Sequence, residues 1–228
     1  MGEVATLTDR ADDLFREVQR VATACQSELF VSREDDVVIV KGKFVVWDDQ
    51  GPLDSYSVFI RFFSDFPATS PRVYETEGRI PCDLDRHVFP SDGACCLAVW
   101  EAWLAEVQDP TVEAFFRGPL HDFFFSQTYF DAKGEWPFGE LSHGISGVVE
   151  AFSEIPGVRQ DRQVVVAYLR LICRQHLGGH AICPCGSGRR LRDCHRDQVE
   201  VLRGRFPREL ALRMLRHVDT RKKSKKNP

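Results

Sequence analysis

Tyr56-Ser57-Val58-Phe59-Ile60-Arg61-Phe62-Phe63 puts Tyr56, Val58, Ile60 and Phe62 on one face of an extended chain and Ser57, Phe59, Arg61 and Phe63 on the other. Upstream, the β-branched and aromatic run from Val37 to Trp47, interrupted at Lys41-Gly42-Lys43, has the character of a mostly buried strand. Asp48-Asp49-Gln50-Gly51-Pro52 between the two is a turn cluster, so the strands pair back as a hairpin. Downstream, Phe66-Pro67-Ala68-Thr69-Ser70-Pro71 breaks regular structure, because two prolines so close cannot both sit inside a sheet. Arg72 to Thr76 then makes a short third strand. On the N-terminal side Leu14, Val18, Val21, Ala22, Cys25 and Leu29 fall three or four apart, which predicts an amphipathic helix over Thr6–Leu29. A helix, an antiparallel meander and further helices together predict an α+β fold.

Those further helices are aromatic and then aliphatic. Val112 to Phe130 carries Phe115, Phe116, Phe123 and Phe124 and is bent or split near Gly118-Pro119. Trp136-Pro137-Phe138-Gly139 is a turn, Glu140 to Phe152 a helix weakened by Gly144 and Gly147, and Ile155-Pro156-Gly157 a boundary. Asp161 to Leu177 is a helix with Val164, Val165, Tyr168, Leu169 and Ile172 as its apolar stripe, ended by Gly178-Gly179. A cysteine cluster and one more helix through Leu215 follow, and Arg221-Lys222-Lys223-Ser224-Lys225-Lys226 is a basic, disordered tail.

With 228 residues, 43% of them hydrophobic and 28% charged, the chain holds one medium domain plus a small appendage, or two small domains. A net charge of -4 argues against nucleic acid as a partner held by bulk electrostatics. No run has the length of a membrane-spanning helix, and the N-terminus lacks the basic start and apolar run of a secretory signal. Met1-Gly2-Glu3-Val4-Ala5-Thr6 formally fits a loose myristoylation pattern but lacks the basic patch that reinforces a single acyl chain. The expected location is the cytoplasm, where structural disulfides are rare, so the eight cysteines need another explanation.

Two of them are adjacent, in Asp92-Gly93-Ala94-Cys95-Cys96-Leu97, just beyond His87. On an extended segment their side chains point to opposite faces, so one thiol can lie in the core while the other is presented outward. The order of helix, meander, Pro-rich turn, His, Cys and helices resembles the ubiquitin-conjugating enzyme (UBC) fold over roughly the first 150 residues. Phe66-Pro67-Ala68-Thr69-Ser70-Pro71 with Arg72-Val73-Tyr74 is similar to the family's Tyr-Pro-x-x-Pro-Pro-x-Val segment. His87-Val88-Phe89-Pro90 stands where the family has His-Pro-Asn, with Phe89 in the place of the Asn. Gly93-Ala94-Cys95-Cys96-Leu97 resembles Gly-x-Ile-Cys-Leu, with Trp103 following at about the family's spacing.

The resemblance implies a thioester carrier with Cys96 as nucleophile, Cys95 in a buried position and His87 in a mainly structural part. Such a thiolate takes an acyl group from a donor thioester and passes it to an amine, splitting one hard transfer into two easier ones. Among the family's branches the chain is similar to bacterial conjugating-enzyme-like proteins of antiphage (CBASS-type) operons, some of which carry a tandem cysteine. Their implied role is to join the C-terminus of a protein donor, such as a cGAS-like nucleotidyltransferase, to acceptor amines. Two alternatives stay open: an inactive UBC-like binding module or adaptor, and a Cys-dependent hydrolase using Cys96 with His87 or His143. A regulatory disulfide from Cys96 to Cys82 or Cys95 is a further option that geometry decides.

Cys183-Pro184-Cys185-Gly186-Ser187-Gly188-Arg189-Arg190-Leu191-Arg192-Asp193-Cys194-His195 is the most specific local pattern. Three Cys and one His suit tetrahedral Zn²⁺, and the glycines permit a tight backbone return. The segment resembles the SEC-C motif, which implies a structural zinc on Cys183, Cys185, Cys194 and His195, with His in a place where many members carry Cys. Arg189, Arg190, Arg192 and Arg196 make this knuckle basic. The expected organisation is a UBC-like conjugating domain over 1–155, a helix with the zinc knuckle and a C-terminal helix over 156–218, and the basic tail over 219–228.

Overall fold

In a computed structural model, described over residues 7–138, 149–150, 152–153, 157–205 and 208–219, the chain divides into two compact units. The first takes residues 1–98 and 109–139, the second 99–108 and 140–228. This is not the expected division at 155. Ala105, Val149 and Phe152 are buried in the same apolar cluster as Val165 and Leu169, so the segments carrying them fall with the C-terminal part.

The first unit opens with helix α1 (Leu7–Cys25) and an antiparallel sheet in the order β1 (Leu29–Glu34), β2 (Val37–Asp48), β3 (Gly51–Phe63), β4 (Arg72–Glu75). The alternation in β3 is obeyed: Tyr56, Val58, Ile60 and Phe62 are all buried. Short α3 (Val112–Phe115), one wide turn (Phe116–Leu120) and α4 (His121–Lys133) lay Phe115, Phe116 and Phe124 against the sheet. The expected split at Gly118-Pro119 is present, as Gly118 leaves helical geometry at φ -103, ψ -107. The rings interlock, with Phe124 centred 4.8 Å from Tyr56 and 5.6 Å from Phe44, and Phe115 edge-on to Phe62 at 5.4 Å. Each such ring stabilises by about 1.5–3 kcal/mol on leaving water. Exposed ion pairs such as Arg16–Asp13 contribute at most about 1 kcal/mol, so the aromatic layer holds this unit together.

The sheet has four strands where the sequence predicts three. Leu29 belongs to β1 and not to α1, because the helix stops at Cys25 and Gln26 turns inward. The Gln26 amide donates to the Val45 carbonyl (3.1 Å) and accepts from the Val45 N–H (2.9 Å), serving the β2 backbone next to the register shift at Val46/Trp47. Lys41-Gly42-Lys43 does not interrupt β2. Gly42 pairs with Leu29 at φ 133, and a Cβ there would stand 2.0 Å from the Glu28 carbonyl oxygen.

The second unit contains α2 (Trp100–Glu106), α5 (Arg162–Ile172), α6 (Arg196–Arg205) and α7 (Arg208–Val218). Asp161 caps α5 by accepting from the Gln163 and Val164 N–H groups. All five residues of the expected α5 stripe are buried. The helix ends at Ile172, before the expected Leu177, and the span of the single expected C-terminal helix is taken by α6 and α7. The helix expected over 140–152 falls mostly outside the described residues, as do His143 and the basic tail.

Replacing Gly42 by Ala should cost roughly 3 kcal/mol, from the close Glu28 carbonyl and the positive φ together. A urea titration followed by loss of sheet signal reads it, and a variant within about 0.5 kcal/mol of wild type would show that the contact yields freely.

Candidate functional site

Residues 83–96 form a compact loop system on the first unit. Asp83 caps a one-turn helix (Leu84–Arg86) through the Asp85 N–H, and His87 follows in the left-handed region at φ 52, ψ 38. The chain then doubles back through a turn in which the Gly93 N–H donates to the Phe89 carbonyl (2.8 Å), and Arg72 pairs with Asp92. Ala94–Cys96 thereby becomes a short extended segment between two neighbours. The Cys95 N–H donates to the Val73 carbonyl of β4 (2.8 Å), and the Cys96 N–H donates the opposite way to the His87 carbonyl (2.7 Å).

The two thiols differ in burial. Cys95 is 8% exposed, and burial pushes its thiol up to about 12. Cys96 is half-buried, with burial raising its thiol as well. Cys82 is exposed, and its sulfur lies 3.9 Å from the Phe89 carbonyl oxygen, on the same turn. His87 meets Cys96 through its main chain, while its ring stands edge-on to Trp136 at 5.1 Å. Phe89 carries no side-chain donor.

The supports of this loop were not legible beforehand. Arg86 donates to the Gln127 side-chain carbonyl (2.9 Å) and to Asp131 (2.6 Å), while the Gln127 amide donates back to the Arg86 carbonyl (2.9 Å). The Arg86 guanidinium also covers Phe130 at 4.9 Å, Phe130 stacks on Trp136 at 4.5 Å, and Trp136 meets His87. Arg79 holds the entry to the loop by gripping Asp54 and lying over Tyr56 at 4.3 Å, which keeps the Asp54 carboxyl below its ordinary range. Gln127 is fully buried among phenylalanines, and that lone amide in an aromatic helix is the one signal the sequence offered.

The second constellation lies in the second unit. Ile182 and Arg190 pair across a hairpin, with the Cys183 N–H donating to the Arg189 carbonyl (2.8 Å). Gly186 and Gly188, at φ 84 and 73, take the positive backbone angles that close it. A one-turn helix (Leu191–Asp193) then brings Cys194 and His195 back, so that one ligand atom from each of Cys183, Cys185, Cys194 and His195 lies within 4.8 Å of all the others. The separations are 3.6 Å from Cys185 Sγ to Cys194 Sγ, and 3.4 and 3.1 Å from His195 Nδ1 to Cys183 Sγ and Cys194 Sγ. A tetrahedral zinc with ordinary bond lengths would need about 3.8 Å between sulfurs and about 3.5 Å from sulfur to nitrogen. The donor set and its spacing fit a closed tetrahedral metal site.

Alkylation with iodoacetamide, mapped by tandem mass spectrometry of the full chain, should rank the loop thiols Cys82, then Cys96, then Cys95. Because burial raises the Cys96 thiol, its reaction should keep accelerating with pH from 7 to 9 without levelling. A plateau below pH 8 would mean an activated thiolate.

Residues 181–197 match the SEC-C motif, the segment that holds all four ligands. No curated protein matches the chain. Among solved structures, the yeast vps23 UEV domain in complex with a vps27 PSDP peptide aligns at 16% identity and a TM-score of 0.27, covering 54% of this chain and 94% of its own.

Proposed function

We propose that the first unit is a ubiquitin-conjugating-enzyme-like acyl carrier with Cys96 as nucleophile, and that the second unit is stapled by a structural zinc. The observation that supports the carrier is the unequal burial of two adjacent cysteines, Cys95 buried and Cys96 half-buried, on a segment hydrogen-bonded on both sides. The Cys96 thiolate attacks the carbonyl carbon of a donor thioester, a new C–S bond forms, and the donor's thiolate departs. An acceptor amine then attacks the same carbon, the Cys96 thiolate leaves, and the amine's proton passes to solvent. Attacking and leaving groups are both thiols in the first half, so a strongly acidic Cys96 is not needed. The donor is a protein with a conjugatable C-terminus; the resemblance of the sequence points to a cGAS-like nucleotidyltransferase in antiphage defence.

Cys183, Cys185, Cys194 and His195 would hold the zinc. When bound it supplies cross-linking and no open coordination position, so it acts on folding and not on the transfer.

One observation favours a second reading, an inactive UBC-like binding module: burial raises the Cys96 thiol, and Phe89 stands where the family's Asn would be. The readings separate in a thioester-exchange experiment on the full chain. Incubated with a glycine-terminated peptide thioester, quenched in acid and mapped by tandem mass spectrometry, the wild type and Cys95→Ala should each carry a hydroxylamine-sensitive acyl group on Cys96, whatever exposed Cys82 takes up. Cys96→Ala should carry none at positions 95 and 96. A wild type that stays unacylated at positions 95 and 96 while Cys82 remains alkylatable would establish the binding module, and transfer onto Cys95 alone would move the nucleophile.

For the metal, the purified chain should carry about one zinc. Its extraction should strip amide-exchange protection from α5–α7 and leave that of β2 and β3 intact. Uniform loss of protection, or none, would contradict the staple.

A further inference from the structure

We propose that Tyr168, which lies outside the cysteine motif on α5, is a positioning residue for the metal site, its hydroxyl donating to the Cys183 sulfur. This rests on the metal reading given above. Helix α5 buries Val164, Val165, Val166, Leu169, Leu171 and Ile172, and Tyr168 is the one hydroxyl in that stripe. It is 0% exposed, and a buried hydroxyl without a partner costs about 1–3 kcal/mol. Phenylalanine would fill the same space at no such cost. The Tyr168 oxygen lies 3.2 Å from Cys183 Sγ, and its ring meets His195 edge-on at 6.0 Å and 84°. One side chain of the core helix therefore touches two of the four ligands.

The need for it follows from burial. Cys183 is 2% exposed, the deepest of the ligands, so water cannot solvate the charge its sulfur carries on a metal. The outer ligands have donors from inside the motif. Ser187 Oγ lies 3.2 Å from Cys185 Sγ and 3.3 Å from Cys194 Sγ, and Arg189 donates to Cys194 Sγ at 3.4 Å. Cys183 has the Cys185 main chain and its fellow ligands Cys185, Cys194 and His195 beside it, and Tyr168 on α5 is its side-chain partner from outside the ligand set among the described residues. A thiolate hydrogen-bonded in this way is oriented toward the metal and relieved of excess charge, which is how outer partners raise affinity. The same bond links metal loading to the seating of α5 in its core.

The test compares full-length wild type, Tyr168→Phe and Leu169→Ala. Zinc affinity is read by competition with a chromogenic chelator, and the sulfur-to-metal charge-transfer band by absorption after loading with Co²⁺. Tyr168→Phe should bind zinc roughly 10–100-fold more weakly. Its Co²⁺ band should move to lower energy, because the sulfur lone pair loses the proton that stabilised it. Leu169→Ala loosens the same core without touching the sulfur, so its band should keep the wild-type position. Tyr168→Phe with wild-type affinity and band would overturn the proposal, as would equal band shifts in both variants. A wild type that binds neither zinc nor Co²⁺ would instead remove the metal reading itself.

Discussion

Two main-chain hydrogen bonds pointing opposite ways decide the character of the first unit's site. The Cys95 N–H is committed to Val73 on β4 and the Cys96 N–H to His87, so the segment is extended and its side chains must alternate. A one-residue slip would exchange the two thiols. The supports of the segment are therefore supports of the choice of sulfur. Val73 is fixed by its pairing with Ile60 in the aromatic layer, and His87 by the Arg86–Gln127 exchange on α4. Buried, doubly satisfied contacts of this type hold a register better than exposed ion pairs, which water and salt weaken.

The second unit solves a different problem. Its helices are short, and a cluster built on Val165, Leu169, Leu191, Val199 and Met214 has little area from which to draw stability. The Cys3His set sits at the edge of that cluster, with Cys183 inside it. Drawing three thiols and an imidazole together is unfavourable once they ionise, and burial resists the charge on Cys183. A divalent cation reverses that sign, since it needs the deprotonated ligands it gathers.

How far the sequence could be read depended on whether the signal was periodic. β2, β3 and the α5 stripe repeat over enough residues to declare themselves, and the ligand spacing of Cys183 to His195 is specific on its own. β1 was hidden because it is six residues long and Leu29 also satisfies the helical repeat of α1. The early end of α5 at Ile172 has no counterpart in the helical repeat of the sequence, which runs on to Leu177. Of the candidate site, the adjacency of Cys95 and Cys96 was legible, and their unequal burial is what the structure adds. The bracing by Arg86, Gln127 and Asp131 was not legible, since Arg86 lies more than 40 positions from both of its partners and no local pattern joins them.

The raised thiol of Cys96 fits the proposed carrier in a particular way. Raising a thiol lowers its ionised fraction tenfold for each pH unit but makes the remaining thiolate more nucleophilic, recovering a little under half of that on a logarithmic scale. The net loss in capture rate is roughly three- to fourfold per pH unit. The same change makes Cys96 a poorer leaving group, so an acyl group held there resists loss to water and to stray amines. A carrier of this kind is slow to discharge by itself and depends on a partner that positions the acceptor. Phe89, which offers the developing oxyanion no side-chain donor, acts in the same direction.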